Sequence, residues 1–407
     1  MIIIISLGVD VKRYEELDSI RGISSLVVMI GHHLMIFSAF QNYSYEDNKP
    51  FVVYLLKETP ARLIFSSGNE SVIIFFVLSG FVLYESIQKN YSSYGSYLLK
   101  RICRIYIPYI VAIIIAIVCQ ITISEYGISY LSEWFNRSWT IESSSSLIAQ
   151  HILLVGKYNT DAYNGVIWSL VHEMRISIIF PLILMICLRK TLRCSLLLLF
   201  SFSICSVVIL FLFRSGLTLT SYALTLHYTV LFLLGALVAK YKNNLIVFYS
   251  NCTKNTKIAW FLFAILLFMY EGLIGEIKVL NNFIFRDYVV AISACLFVIL
   301  SLSISTLSSL LHNKYLLYLG KISYSLYLYH IISLFSLIYM LHEILPLPII
   351  LIFSLVFSFI LAMLSYVYVE KFAFGVGKYV TKQVDRREKG LSVKSELQDV
   401  IQKRAVK

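Results

Sequence analysis

Stretches of about twenty apolar residues recur along this 407-residue chain, and they restrict its fold more than any motif does. A run of that length crosses the ~30 Å hydrocarbon core of a bilayer as an α-helix. Ten stand out: 19–38, 71–87, 105–123, 166–188, 194–213, 222–240, 258–271, 288–307, 322–341 and 347–369, the seventh being the shortest. Backbone exposed to lipid has to satisfy its own hydrogen bonds, and the sequence lacks the ten-residue alternation of a transmembrane strand. Composition agrees, with 58% hydrophobic and only 14% charged residues. A soluble domain carries about 25% charge. The expectation is an all-α integral membrane protein: a polytopic bundle of about ten transmembrane helices in the cell inner (plasma) membrane.

Lysine and arginine give the orientation. With both termini cytoplasmic, the inner segments hold 26 of the 35 Lys/Arg, the outer segments hold eight, and Arg175 lies within a span. Such a bias predicts N-in/C-in topology. The chain then divides into a cytoplasmic segment 1–18, a membrane domain 19–370 and a basic cytoplasmic tail 371–407. The net charge of +12 is therefore topological. In the tail, Arg386, Arg387, Lys389, Lys403 and Arg404 alternate with Asp385, Glu388, Glu396 and Asp399, which suits contact with membrane lipid and not with nucleic acid. The Ile2–Val9 run is too short to span and has no basic stretch before it, so no cleavable signal is expected. The long outer loops are 39–70 and 124–165. The second, with Trp134, Phe135, Trp139 and Ser143–Ser146, reads as an interfacial cap or a re-entrant segment. Seven cysteines form no CxxC pair and no metal cluster, so they read as small buried hydrophobes and no metal is expected.

Ionisable groups inside a membrane are costly, so each is a functional candidate. In the first span Arg21 and His32 are eleven residues apart, about 20° from three full turns and about 16 Å along one helix face. His33 points about 100° away. A buried His also serves as a satisfied packing residue, but Arg21 on the same face favours function for His32. Arg101 and Arg104, at i and i+3 before Pro108, are read equally well as cytoplasmic anchors or as a fork for phosphate oxygens. The fourth span opens Trp168-Ser-Leu-Val-His-Glu-Met-Arg175. Glu173 there is either half of a structural ion pair or a carboxylate facing a watery cavity. In the ninth span Ser323, Tyr327 and His330 share a stripe; the tyrosines suit interfacial anchoring, and His330 suits a polar partner across the bundle. Ser79–Gly80 in the second span lets a helix or a ligand approach the backbone closely.

The sequence has no phosphate-binding GxxxxGK[ST] loop, no GxGxxG after a strand, no HExxH and no Gly-x-Ser-x-Gly elbow. Nucleotide hydrolysis, Rossmann redox chemistry and soluble serine esterase chemistry are therefore unsupported. What is present resembles the acyltransferase 3 family of integral-membrane O-acyltransferases. The resemblance rests on Arg21 and His32 with ten residues between them, Phe75–Phe81 with its Ser-Gly pair, Arg101-x-x-Arg104 with Pro108, Trp168-Ser-Leu-x-x-Glu173 with Pro181, and Ser323-Tyr-Ser-x-Tyr-x-x-His330. These occur in family order over about 18–370. His172 and Arg175 make the fourth span more polar than that pattern needs. They read either as specificity elements or as partners of Glu173.

The resemblance implies transfer of an acyl group, usually acetyl, from acyl-CoA to a hydroxyl of a cell-surface polysaccharide such as O-antigen or exopolysaccharide, or of its lipid-linked precursor. It implies no permanently bound cofactor, acetyl-CoA as co-substrate, and polysaccharide-biosynthesis partners. His32 is the implied catalytic residue, with Glu173 orienting a histidine or the acceptor. Arg101 and Arg104, together with Arg21, are expected at the donor, and Trp168 and His330 at the acceptor. The competing classes are a carrier or flippase for a lipid-linked saccharide and a non-catalytic assembly subunit. The first lacks the paired interrupted helices of many secondary transporters. Only a transferase needs acyl-CoA.

Overall fold

The computed structural model describes residues 14–37, 68–90, 93–124, 127–139, 141–156, 159–188, 191–212, 217–274 and 282–386. The Ile2–Val9 run, almost all of loop 39–70 and the tail beyond Arg386 lie outside them. No strand occurs among the described residues. The longer helices are α1 (Glu15–Leu34), α2 (Gly68–Asn90), α3 (Tyr94–Ile123), α4 (Ser145–Leu153), α5 (Trp168–Leu188), α6 (Leu192–Leu212), α7 (Leu217–Ser250), α8 (Lys254–Phe268), α9 (Phe283–Ser303), α10 (Lys314–Leu341) and α11 (Leu347–Ser365).

Eight of these helices are long and apolar enough to cross a membrane: α2, α3, α5, α6, α7, α9, α10 and α11. The expectation of ten is met only to that extent. The first expected span is helical as α1, but Asp18, Arg21, His32 and His33 leave it too polar to qualify. The seventh is α8, whose 15 residues reach only about 22 Å, against a core of about 30 Å. Other boundaries move outward. Helix α3 begins at Tyr94 and so contains Arg101 and Arg104. After α11 a single π-helical turn, Tyr366–Glu370, leads on into helix through Arg386.

Local chemistry sets the helix ends. Helix α1 carries Glu15, Glu16 and Asp18 in its first turn and His32 and His33 in its last, the order that the helix dipole favours. The hydroxyls of Ser93, Ser144 and Thr253 cap α3, α4 and α8 by accepting from N–H groups of the first turn. Ser144 belongs to the serine run of loop 124–165, whose described part is folded. A one-turn helix Glu133–Arg137, α4 and two 3₁₀ turns bury Phe135, Trp139, Leu154 and Tyr163.

The chain forms two compact units. One comprises Met1–Val28, Glu58–Asn90 and His227–Ser323; the other comprises Met29–Lys57, Tyr91–Leu226 and Tyr324–Lys407. In the first, glycines set the helix crossings. A Cβ on Gly80 would overlap the Phe232 carbonyl and one on Gly235 would overlap the Val77 carbonyl, so α2 and α7 meet backbone to backbone. The Ser79–Gly80 pair thus admits a helix. A Cβ on Gly22 would lie 2.6 Å from the Gly320 nitrogen, which brings α1 and α10 together in the same way. Charged groups here are paired: His227 with Asp287 at 3.1 Å, Arg286 with Glu271 at 3.0 Å, and Glu85 with Lys242 and with Lys89.

In the second unit α3 packs on α5. Helix α6 is apolar all round and buries only the stripe of Ser195, Leu199 and Ser206, leaving the rest of its surface to lipid.

Candidate active site

The second unit brings several of the expected residues together. His32, in the last turn of α1, is half-buried, and its Nδ1 lies 2.9 Å from Nε2 of His330 on α10. His330 is wholly buried, and its own Nδ1 donates to the Leu326 carbonyl one turn earlier, at 2.9 Å. The two rings stand 5.1 Å apart, inclined at 27°. Trp134, from the folded part of loop 124–165, stacks on His32 with centroids 5.4 Å apart and planes at 16°. That loop thus contributes a side chain to the candidate site.

His33 is the packing residue of the pair. Its Nδ1 donates to the Met29 carbonyl at 2.8 Å, and its Nε2 accepts from the Ser354 hydroxyl at 2.9 Å. The 100° between neighbours on a helix therefore separates a histidine bonded to Met29 and Ser354 from one that meets His330.

Helix α10 is held where His330 needs to be. The Tyr327 hydroxyl donates to the Val166 carbonyl at 2.9 Å and accepts from Ser169 Oγ at 2.8 Å. The Asn164 amide donates to the Leu328 carbonyl at 2.8 Å. These bonds tie the entry of α5 to the turn of α10 that precedes His330. Lower on α10, Tyr324 donates to the Ile105 carbonyl at 2.8 Å. Ser325 donates from both its backbone N–H and its hydroxyl to Glu370, in the π-helical turn. Tyr324, Ser325 and Tyr327 of the ninth-span motif are therefore braces to other segments, whereas Ser323 donates to the Gly320 carbonyl of its own helix.

Glu173 and Arg101 form an ion pair at 2.9 Å, and Arg101 also donates through Nε and Nη2 to Ser177 Oγ at 3.2 and 2.9 Å. Arg101 is buried, whereas Arg104, one turn further along α3, is exposed and lies 5.6 Å from the centre of the Phe374 ring. The two arginines thus have different surroundings. Trp168 is half-buried, 6.2 Å from the His172 ring, edge to face. His172 bonds Thr225 through Nδ1 at 2.8 Å. Arg175 donates to the Val155 and Gly156 carbonyls at 2.9 and 2.7 Å, and to Ser221 and Thr225 on α7. The extra polarity of the fourth span is in this way a staple joining α5, α7 and the end of the outer segment. Arg21 belongs to the first unit, half-buried and 3.2 Å from Asp18.

Residues 14–366 match the family model for the acyltransferase domain of acyltransferase 3. The chain belongs to the acyltransferase 3 family. No curated protein and no solved structure matches it. Membership makes the chain an acyltransferase, and its apolar helices make it a multi-pass membrane protein. Sequence reasoning had marked His32, His330, Glu173 and Arg101 one by one. It did not give their pairings, nor the place of Trp134, Ser177 and Glu370. Trp134 carried a weak signal as part of an aromatic outer loop; Ser177 carried none.

Proposed function

We propose that this acyltransferase is an O-acetyltransferase of the inner membrane, with ten spans and both termini cytoplasmic. It moves an acetyl group from acetyl-CoA to a hydroxyl of a cell-surface polysaccharide or its lipid-linked precursor. The observation that carries the reading is the His32–His330 pair beneath Trp134. A half-buried imidazole held by a second imidazole is suited to act as general base on a sugar hydroxyl, or as a transient acyl carrier.

The arginines supply the donor side of the proposal. Arg104 is exposed, and a planar guanidinium fits the phosphates of coenzyme A. Arg101, held by Glu173 and Ser177, sets the face from which Arg104 projects. Glu173, expected to orient a histidine or the acceptor, is paired with Arg101 and acts by orienting that guanidinium on the donor side. The acceptor enters beside Trp168, on the side of the folded outer segment, where lipid-linked glycan and polysaccharide-biosynthesis partners are expected.

Radiolabelled acetyl-CoA added to membranes that contain the full chain tests this. Label is expected in base-labile ester on polysaccharide. No label with a correctly inserted protein, across several acceptors and acyl donors, combined with transport of unmodified lipid-linked saccharide, would overturn the reading in favour of a carrier.

A further inference from the structure

We propose that His330 is a positioning residue that fixes the tautomer of His32, making Nε2 of His32 the reactive nitrogen. The inference rests on the transferase reading above and deepens it.

A carbonyl oxygen only accepts, so the contact between His330 Nδ1 and the Leu326 carbonyl requires the proton on Nδ1. An uncompensated charge in the buried setting of His330 is expensive, which favours a neutral ring. Its Nε2 then carries a lone pair and accepts from His32. Hence His32 is protonated on Nδ1 and holds its own lone pair on Nε2. The assignment passes along a chain of donors, from a backbone carbonyl that cannot titrate to the nitrogen that meets substrate. A carboxylate fixes a catalytic histidine in the same way in hydrolase triads; here a second histidine does so, and the backbone sets that one.

The surroundings favour the same direction of proton flow. Once His32 has taken a second proton, the imidazolium N–H on Nδ1 still points at the His330 lone pair. The Trp134 face lies against it at 5.4 Å, where a cation gains from the ring quadrupole. Titratable groups that face the pair among the described residues include His33, whose two nitrogens bond Met29 and Ser354, and Tyr327, 6.1 Å from the His330 ring.

The step balances as follows. The acceptor hydroxyl gives its proton to His32 Nε2 as its oxygen bonds to the thioester carbonyl carbon. The carbon–sulfur bond then breaks with its electron pair on sulfur, and Nε2 returns the proton to that thiolate. An ester and free coenzyme A result, and His32 ends in its starting tautomer.

The test compares wild type, His330→Ala and His330→Gln as full chains in membranes, with labelled acetyl-CoA. His330→Ala is expected to lower kcat by about 10²-fold or more, with KM for acetyl-CoA little changed. His330→Gln, whose amide oxygen can accept from His32 Nδ1, is expected to recover to within about tenfold of wild type. A second readout does not need turnover. ¹⁵N-histidine solid-state NMR of wild type, with the His32 signals assigned by difference from His32→Ala, is expected to show His32 protonated on Nδ1 and bare on Nε2. Recovery by Gln together with that spectrum supports the proposal. Equal loss in both variants, when both insert and melt like wild type, overturns it, as does a proton on Nε2. If wild type transfers no label, the transferase reading fails on its own, and the NMR spectrum still decides the tautomer.

Discussion

At the scale of single residues, the ionisable groups of this chain sort by what they touch. Arg101 and Glu173 are a largely buried pair, so removing one leaves the other charge stranded. Arg101→Ala is expected to cost about 3 kcal/mol of stability, and Arg101→Ala with Glu173→Ala less than the sum of the two single changes. A double-mutant cycle by thermal melting in detergent checks this, and additive losses would refute the coupling. His151, in the short helix α4 and outside the spans, is wholly buried, and burial lowers its pKa below the usual 6.5. The neutral ring is the one that fits. Its contribution is therefore present above about pH 6.5 and lost as pH falls towards the lower folded value. Wild type should accordingly lose stability below about pH 6.5 by a margin that His151→Gln abolishes, as melting curves over pH 5–8 would show. A lone ionisable residue in an apolar run is conspicuous in one dimension, which is why His32, Glu173 and Arg101 were legible. Their pairings were not. Ser177 is an ordinary small residue in sequence, and only the packing of α3 on α5 gives it a role. His33 looked as polar as His32, and helical phase alone told them apart.

At the scale of elements, apolar run length located the helices, and the two expected spans that are not long and apolar enough fall short for physical reasons. Helix α1 carries Asp18, Arg21, His32 and His33, and those residues lower its hydropathy. Helix α8 is simply short. The π-helical turn at Tyr366–Glu370 left no trace in the apolar pattern, yet it brings Glu370 to Ser325. Among the described residues, glycine contacts include two opposite extremes. At Gly80 and Gly235 a methyl group would collide with backbone, and backbone cannot swing aside. Gly80→Ala and Gly235→Ala are each expected to destabilise by about 1–3 kcal/mol. At Gly375, in the helix that continues α11, a Cβ meets nothing within 4 Å. Gly375→Ala should stabilise by about 0.5–1 kcal/mol through helix propensity alone. Melting temperatures that move in opposite directions for these two kinds of site would bear this out, and a neutral Gly80→Ala would contradict the close approach.

At the scale of the whole molecule, charge asymmetry carried information that no motif held: 26 Lys/Arg on one expected side against eight on the other. The proposed topology puts Glu142 outside and Lys378 inside, and it puts Lys254 and Phe283 on opposite sides if α8 crosses. Single cysteines at these four exposed positions, in a cysteine-free background, should react with an impermeant thiol reagent in intact cells only at Glu142→Cys and Phe283→Cys. Reaction at neither or both of Lys254→Cys and Phe283→Cys would show that α8 does not span. Family membership fixes the class of reaction, and the site suggests where its proton goes. The measurement that bears most directly on this account is acetyl transfer from labelled acetyl-CoA by membranes holding wild type or His32→Ala in equal, correctly inserted amounts. The account predicts base-labile label on polysaccharide with wild type and its loss with His32→Ala. Full transfer by His32→Ala would contradict it.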